Sequence, residues 1–429
     1  MKQFIFLMMA LLALPFTSAA QTRYLHCGKL VDTEAGTVKS EMTIVVDGKR
    51  VSELRTGYVQ PPTGVEVIDL KNRTVLPGLI DLHVHIEWET SPSQYIEPFT
   101  LNPADIAYRA ARFADRTLQA GFTTVRDLGG TGVNVSLRNA INQGLATGPR
   151  IFTAAKSIAI TGGHADPTNG ARMDLFDTPG PAQGVADGAD ACRQAVRQQV
   201  KNGADLIKIT ATGGVLSVAR DGHRAQFTED EIAAIVQTAN DFGIHVAAHA
   251  HGDEGIRRAA AMGVTTIEHG TKMSQATMEV MKNKGTWYIP TITAGWTVAD
   301  SAKIKGYYPE VVVPKALDIG PQIEKTFAKA YKNGVKIAFG TDAGVFAHGR
   351  NALEFTYMTR AGMPAMEAIQ CATTRAAEVL QMQGQLGTIK PGAFADLIGV
   401  ADDPTRNIAT LLDVLFVMKD GAVYKKKQQ

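Results

Sequence analysis

The strongest constraint on this chain is a recurrence: between residues 74 and 385, short apolar segments alternate with amphipathic ones. Eight candidate strands stand out: LPGLIDLHVH (76–85), TTVRDL (123–128), RIFTAA (150–155), LIKIT (206–210), HVAAHAH (245–251), TTIEHG (265–270), WYIPTI (287–292) and IAFGTD (337–342). Between them lie helical stretches such as ADIAYRAARFADRTLQAG and TEDEIAAIVQTANDFG. In the second of these, Thr228 and Glu231 have capping-box spacing and Gly243 supplies a C-terminal stop. Strands that alternate with helices imply βα units and a parallel sheet. Eight repeats over about 300 residues fit a (β/α)8 TIM barrel in the α/β class better than an open doubly wound sheet. The open sheet would usually carry a phosphate-binding glycine turn after an early strand, and Gly130-Thr131-Gly132 lacks the third glycine.

The ends of the chain read differently. Residues 21–73 hold alternating β segments around a turn at Asp47-Gly48, and 386–429 hold another turn at Asp420-Gly421. A composite β-sandwich domain built from 21–73 and 386–429 is therefore expected beside a barrel of 74–385. Residues 1–20 form a third kind of segment, with Lys2 ahead of an apolar run and Ser18-Ala19-Ala20 offering small residues for cleavage. This reads as a signal peptide cleaved near Ala20, its apolar run being too short for the roughly 20 residues that span a bilayer. The expected location is periplasmic or secreted, with no membrane attachment after cleavage. The net charge of +2 gives no basis for a nucleic-acid partner. Cys27, Cys192 and Cys371 are too few and scattered for a disulfide framework. The subunit count stays open, a homo-oligomer being compatible with the sequence.

In a barrel, chemistry belongs at the C-terminal ends of the strands. His83 and His85 end the first candidate strand, Lys208 lies on the fourth, His249 and His251 end the fifth, His269 ends the sixth and Asp342 ends the eighth. An HxH alone is weak, but five of the 10 histidines fall at strand ends chosen without reference to them. A strand sends residues i and i+2 to one face, so His83 and His85 point together. Each residue also has an ordinary explanation: a strand-end histidine that is merely hydrogen-bonded, a turn aspartate at 342. Lys208 is harder to explain so, because it sits among β-formers where an ammonium has little room to reach water. A desolvated neutral lysine can capture carbon dioxide as a carbamate, which acts as a carboxylate.

With PGLID ahead of the HxH and GTIKPGAFADLIGV near the end, these residues resemble the binuclear metal-dependent amidohydrolase superfamily. TGGHAD (161–166), KITATGGVLS (208–217), HVAAHAHG and IEHG resemble its Xaa-Pro dipeptidase-like and ochratoxin-hydrolysing branch. The resemblance implies two divalent metal ions, with His83, His85 and Asp342 on the first, His249 and His269 on the second, and a carbamate of Lys208 between them. Nitrogen and oxygen ligands without cysteine suit Zn2+, though manganese, cobalt or iron fit the same set. Such a pair makes hydroxide available at neutral pH and polarises the scissile carbonyl. Asp342 is then expected as the proton carrier, with His164 and His251 as further catalytic candidates; His251 has supporting a ligand as its alternative.

The substrate class follows less directly. The expected reaction is hydrolysis of the amide or peptide bond to a C-terminal amino acid in a small molecule or short peptide. Trp88 and the segment 293–321, with Trp296, Tyr307 and Tyr308, are candidate walls or lid, and Arg220 and Arg224 are candidate carboxylate binders. The alternatives are an imidazolonepropionase-like cyclic-amide hydrolase, a lactonase or phosphotriesterase on the same centre, and a non-catalytic metal- or solute-binding protein. The mononuclear relatives do without the strand-four lysine, so Lys208 argues against the first.

Overall fold

The computed structural model describes residues 22–219 and 221–427; the signal-peptide segment and Arg220 lie outside the described residues. The chain begins with four strands, β1 (Arg23–Asp32), β2 (Thr37–Asp47), β3 (Arg50–Thr56) and β4 (Glu66–Pro77). Seven more follow with helices between most of them: β5 (Leu79–Val84), β6 (Phe122–Asp127), β7 (Arg150–Thr153), β8 (Ile207–Thr210), β9 (Val246–Ala250), β10 (Thr266–His269) and β11 (Trp287–Ile289). The end of the chain adds β12 (Leu397–Val400), β13 (Phe416–Lys419) and β14 (Ala422–Lys426).

Strands from both chain ends form one seven-stranded sheet in the order β14-β13-β12-β4-β1-β2-β3. Its buried face carries Leu25, Ile44, Val46, Val75, Leu397 and Phe416, from five neighbouring strands that contribute to one apolar layer. Both expected turns are present, and they meet: a Cβ on Gly421 (φ 73°) would fall on the carbonyl oxygen of Gly48, so this approach admits only glycine. The boundary expected between residues 73 and 74 falls inside β4, which runs on to Pro77 and delivers the chain straight into β5.

The central strands form two parallel sheets, β5-β6-β7 and β8-β9-β10-β11. Isolated bridges join them end to end into a ring: Ile158 to Ile209 on one side, and Tyr288 to Ile337 and Val84 to Ala343 on the other. Most expected strands are shorter than the sequence suggested, and IAFGTD (337–342) is not a regular strand. It closes the ring through single contacts, Ala338 N–H donating to Tyr288 O (3.1 Å), Leu82 N–H to Phe339 O (3.0 Å) and Asp342 N–H to His83 O (2.7 Å). The buried Asp81 carboxylate explains the irregularity. It accepts from Thr341 N–H (3.1 Å), Thr341 Oγ1 (2.6 Å), Asn351 Nδ2 (2.7 Å) and His83 N–H (3.0 Å), replacing ladder bonds with side-chain bonds where the chain must turn.

The segment 293–321, expected as a long loop, is mostly helical: Ile292–Ser301 and the start of Val313–Lys332. These two helices cross with Gly295 against Gly320, where a side chain on Gly320 would meet the Gly295 carbonyl. The helix Glu229–Asp241 begins with the expected Thr228–Glu231 capping box. No helix among the described residues is long and apolar enough to cross a membrane.

Candidate metal centre

The C-terminal ends of the ring strands open into a cavity of about 310 Å³ whose lining includes His83, His85, His164, Lys208, His249, His251, His269 and Asp342. All eight expected site residues therefore share one chamber. Its apolar walls include Trp88, Val215, Leu216, Val298, Ile319 and Ile323.

The imidazoles are held from behind. The Nδ1 atoms of four of them are engaged: His83 with Glu268 Oε2 (2.9 Å), His85 with Gly129 O (2.8 Å), His251 with Thr271 Oγ1 (2.7 Å) and His269 with Thr291 Oγ1 (2.8 Å). This leaves each Nε2 lone pair for the cavity. His249 is reversed, its Nε2 donating to Gly213 O (3.1 Å), so its Nδ1 faces the group. Burial is the main reason that His83, His249, His251 and His269 stay neutral far below the usual histidine range, and it pushes His85 down to about 4. Neutral imidazoles are the ligating form.

Asp342 Oδ1 lies 3.4 Å from His83 Nε2 and 3.5 Å from His85 Nε2. It is buried with no hydrogen-bond partner among the described residues. An orphaned carboxylate oxygen facing two lone-pair nitrogens is costly unless a cation sits among them, which is the fit expected of a metal site. The ligand atoms of His83, His269 and Asp342 lie within 4.8 Å of one another, as do those of His249, His251 and His269. His251, expected mainly as a substrate or supporting residue, thus stands among the possible ligands. Lys208 is buried, and burial drives its amine below the usual lysine range, favouring the neutral nucleophilic form. Burial raises the Asp342 carboxyl, with Lys208 opposing it.

Backbone geometry marks the same residues. His269 (φ 68°), Thr291 (φ 54°) and Asp342 (φ 61°) all occupy the left-handed region without being glycine, a strain of about 1–3 kcal/mol each that functional sites tend to store. His164 packs against His249 with ring centroids 4.4 Å apart and the rings tilted by 31°, and Gly214 leaves the room for it, since a Cβ there would lie 2.1 Å from the His164 ring. The His164 Nδ1 atom has no hydrogen-bond partner among the described residues.

Segment 293–321 supplies Ala294, Gly295, Val298 and Ile319 to the cavity wall, as expected, while other named candidates lie elsewhere. The Arg224 side chain is 91% exposed and paired with Asp221 (2.9 Å), away from the cavity. Trp296 donates to Glu324 Oε2 (2.7 Å) and Tyr307 to Thr90 O (3.2 Å), so these aromatics brace the rim, while Trp88 lines the chamber against His85, 5.0 Å away and stacked. Sequence reasoning also missed Glu268 and Arg126, both fully buried. Arg126 donates to Glu268 Oε1 (2.9 Å), Leu82 O (2.6 Å) and Thr266 Oγ1 (3.2 Å), binding β6, β5 and β10 together beneath the histidines. The signal was present: a charged residue inside TTVRDL and TTIEHG is as anomalous as the lysine in LIKIT.

Residues 74–424 match the Amidohydrolase family. The chain belongs to this family. It is 29% identical over 434 residues to the ochratoxinase of Aspergillus niger, covering 96% of this chain and 89% of that protein. A crystal structure of a Xaa-Pro dipeptidase with bound methionine in the active site superposes with a TM-score of 0.92 at 50% identity, covering 94% of this chain and 100% of that one. A prolidase complexed with N-methylphosphonate-L-proline gives 0.86 at 33% identity, covering 95% and 100%. The amidohydrolase has the TIM-barrel α/β fold and is a metal-binding hydrolase of carbon–nitrogen bonds in amides or peptides.

Proposed function

We propose that this amidohydrolase is exported, loses residues 1–20, and hydrolyses the bond between an acyl or aminoacyl group and a C-terminal amino acid, releasing proline or an apolar residue. The observation that carries the reading is the unpaired Asp342 Oδ1 facing the Nε2 atoms of His83 and His85 beside a buried lysine. His83, His85 and Asp342 would hold one divalent cation and His249 and His269 a second, with Lys208 as its carbamate between them; the nitrogen and oxygen donors suit zinc. When bound, the cations supply Lewis acidity, making hydroxide available at neutral pH and polarising the scissile carbonyl. Asp342 then takes the proton released in the attack and returns it to the departing amine, which leaves poorly as an anion. His164 and His251 flank the group and orient the carbonyl. The walls formed by Val298, Ile319 and Ile323 suit an apolar side chain, in keeping with the methionine named in the dipeptidase structure. The seven-stranded sheet shared by the two chain ends would serve as the β-sandwich domain expected beside the barrel.

Metal analysis of the purified protein, coupled to a screen of dipeptides and N-acyl amino acids read by free amino acid, tests the proposal. Two cations per chain and amino acid release are expected. Turnover confined to lactones, cyclic ureas or phosphotriesters rejects the bond class, and a mature protein that begins at Met1 rejects export.

A further inference from the structure

The helix Ile292–Ser301, which supplies Ala294, Gly295 and Val298 to the chamber wall, starts from Thr291. A threonine in that position ordinarily caps its own helix, its hydroxyl accepting from an N–H two or three residues further on. Thr291 does not. Its side chain makes no capping bond, and its backbone is left-handed (φ 54°). The hydroxyl is turned the other way, onto His269 Nδ1 (2.8 Å). The first N–H groups of the helix are thereby left for another acceptor.

Glu354, on the later helix Leu353–Arg360, supplies that acceptor. Its Oε1 accepts from Ile292 N–H (2.8 Å), and its Oε2 accepts from Thr293 N–H (2.7 Å) and from Thr293 Oγ1 (2.6 Å). Glu354, Thr291 and Thr293 are all buried, so bulk water has no access to replace a lost bond. Glu354 is not among the residues that line the chamber, and its effect on the site must pass through the start of the helix. A left-handed threonine persists only where its surroundings over-determine it. Here the two N–H groups that follow Thr291 are anchored on Glu354, and its hydroxyl is anchored on His269.

We infer that Glu354 is a positioning residue of the metal centre: by capping the helix in place of Thr291, it holds the Thr291 hydroxyl on His269 Nδ1 and keeps His269 Nε2 turned to the chamber. The inference rests on His269 as a cation ligand, as proposed above, and adds what fixes its ring. Zinc affinity, measured by competition with a chromophoric chelator, tests it in wild type, Glu354→Gln, Thr291→Gly and the double variant. Glycine tolerates the left-handed backbone, so Thr291→Gly removes the hydroxyl without new strain. Each single substitution should weaken zinc binding by about ten-fold or more, and Thr291→Ser should restore it. Glu354→Gln should cost less than about two-fold once Thr291 is glycine, because both changes break one chain of contacts. Unchanged affinity in Glu354→Gln, or the same loss with and without the Thr291 hydroxyl, overturns the inference. Where Glu354→Gln does not fold, Thr293→Val takes its place in the same cycle, and the same two results decide. A wild type that binds no zinc counts against the ligand reading instead. The positioning role is then decided on metal-free protein by the nitrogen NMR shifts of His269. A tautomer protonated at Nδ1 in wild type and lost or mixed in both Thr291→Gly and Glu354→Gln supports it, and one unchanged in Glu354→Gln overturns it.

Discussion

Glu268→Gln should expose how the floor of the site supports its ligands. The Glu268 carboxylate and the Arg126 guanidinium are both 0% exposed and 2.9 Å apart. Removing the negative charge leaves a buried cation with only the Leu82 carbonyl, Thr266 hydroxyl and a 3.4 Å contact to His245 Nε2 as its other partners. Breaking a buried pair on one side costs about 3–5 kcal/mol; the carboxamide keeps one acceptor for Arg126, so a loss of about 3 kcal/mol is expected. The same change puts an amide N–H where Glu268 Oε2 now meets His83 Nδ1, forcing His83 to change tautomer or turn its ring. Loss of such a supporting partner typically weakens metal affinity by about 10–100-fold. Urea unfolding of chelator-stripped protein measures the first effect, and competition against a chromophoric chelator the second. A double substitution, Arg126→Met with Glu268→Leu, should recover much of the stability, since replacing both charges removes the uncompensated one. A stability loss below about 1 kcal/mol with unchanged metal affinity would refute the reasoning.

Asp342→Asn should lower kcat by about 10²–10⁴-fold with KM nearly unchanged, measured by amino acid release; full activity would remove Asp342 from proton transfer. Lys208→Met should leave fewer than two cations per chain by elemental analysis, whereas an unchanged count would show that the lysine is not a bridge. His245 is held neutral down to about 3, mainly by burial and then by Arg126, whereas an unfolded histidine takes its proton near 6.5. Its depressed folded pKa contributes stability present above pH 6.5 and lost as pH falls toward 3. In His245→Asn, the slope of unfolding free energy between pH 6 and 4 should shrink by up to about 1.4 kcal/mol per pH unit, and an unchanged slope would count against it. The three cysteines are buried and unpaired. A thiol reagent should therefore titrate three thiols after denaturation and almost none before.

The site was more legible than the scaffold around it. His83, His85, Lys208, His249, His269 and Asp342 could be found because each is a polar residue at or near the end of a β segment, a position the apolar period exposes without any knowledge of contacts. The same logic would have found Arg126 and Glu268, had every charge within a strand been treated as Lys208 was. The segment 293–321 does line the cavity as expected, but as helices rather than a loop, because Gly295 and Gly320 let a pair of helices approach closely, a use of glycine that no local pattern distinguishes from a turn.

What the one-dimensional chain determines by itself is the alternation of strand and helix periods, the two glycine hairpins at its ends, and the residue types able to ligate a cation; these depend on local stereochemistry and on the period of burial. The tertiary structure alone decided that His249 turns its Nδ1 inward while its neighbours present Nε2, that Asp342 Oδ1 has no hydrogen-bond partner among the described residues, and that Trp88 stacks on His85 at the chamber wall. The first two depend on atoms brought together from segments far apart in the chain, such as Gly213 against His249 and His83 against Asp342. Ring tautomers, orphaned lone pairs and stacked rings are properties of contacts, and a contact between distant segments exists only once the ring of strands has closed.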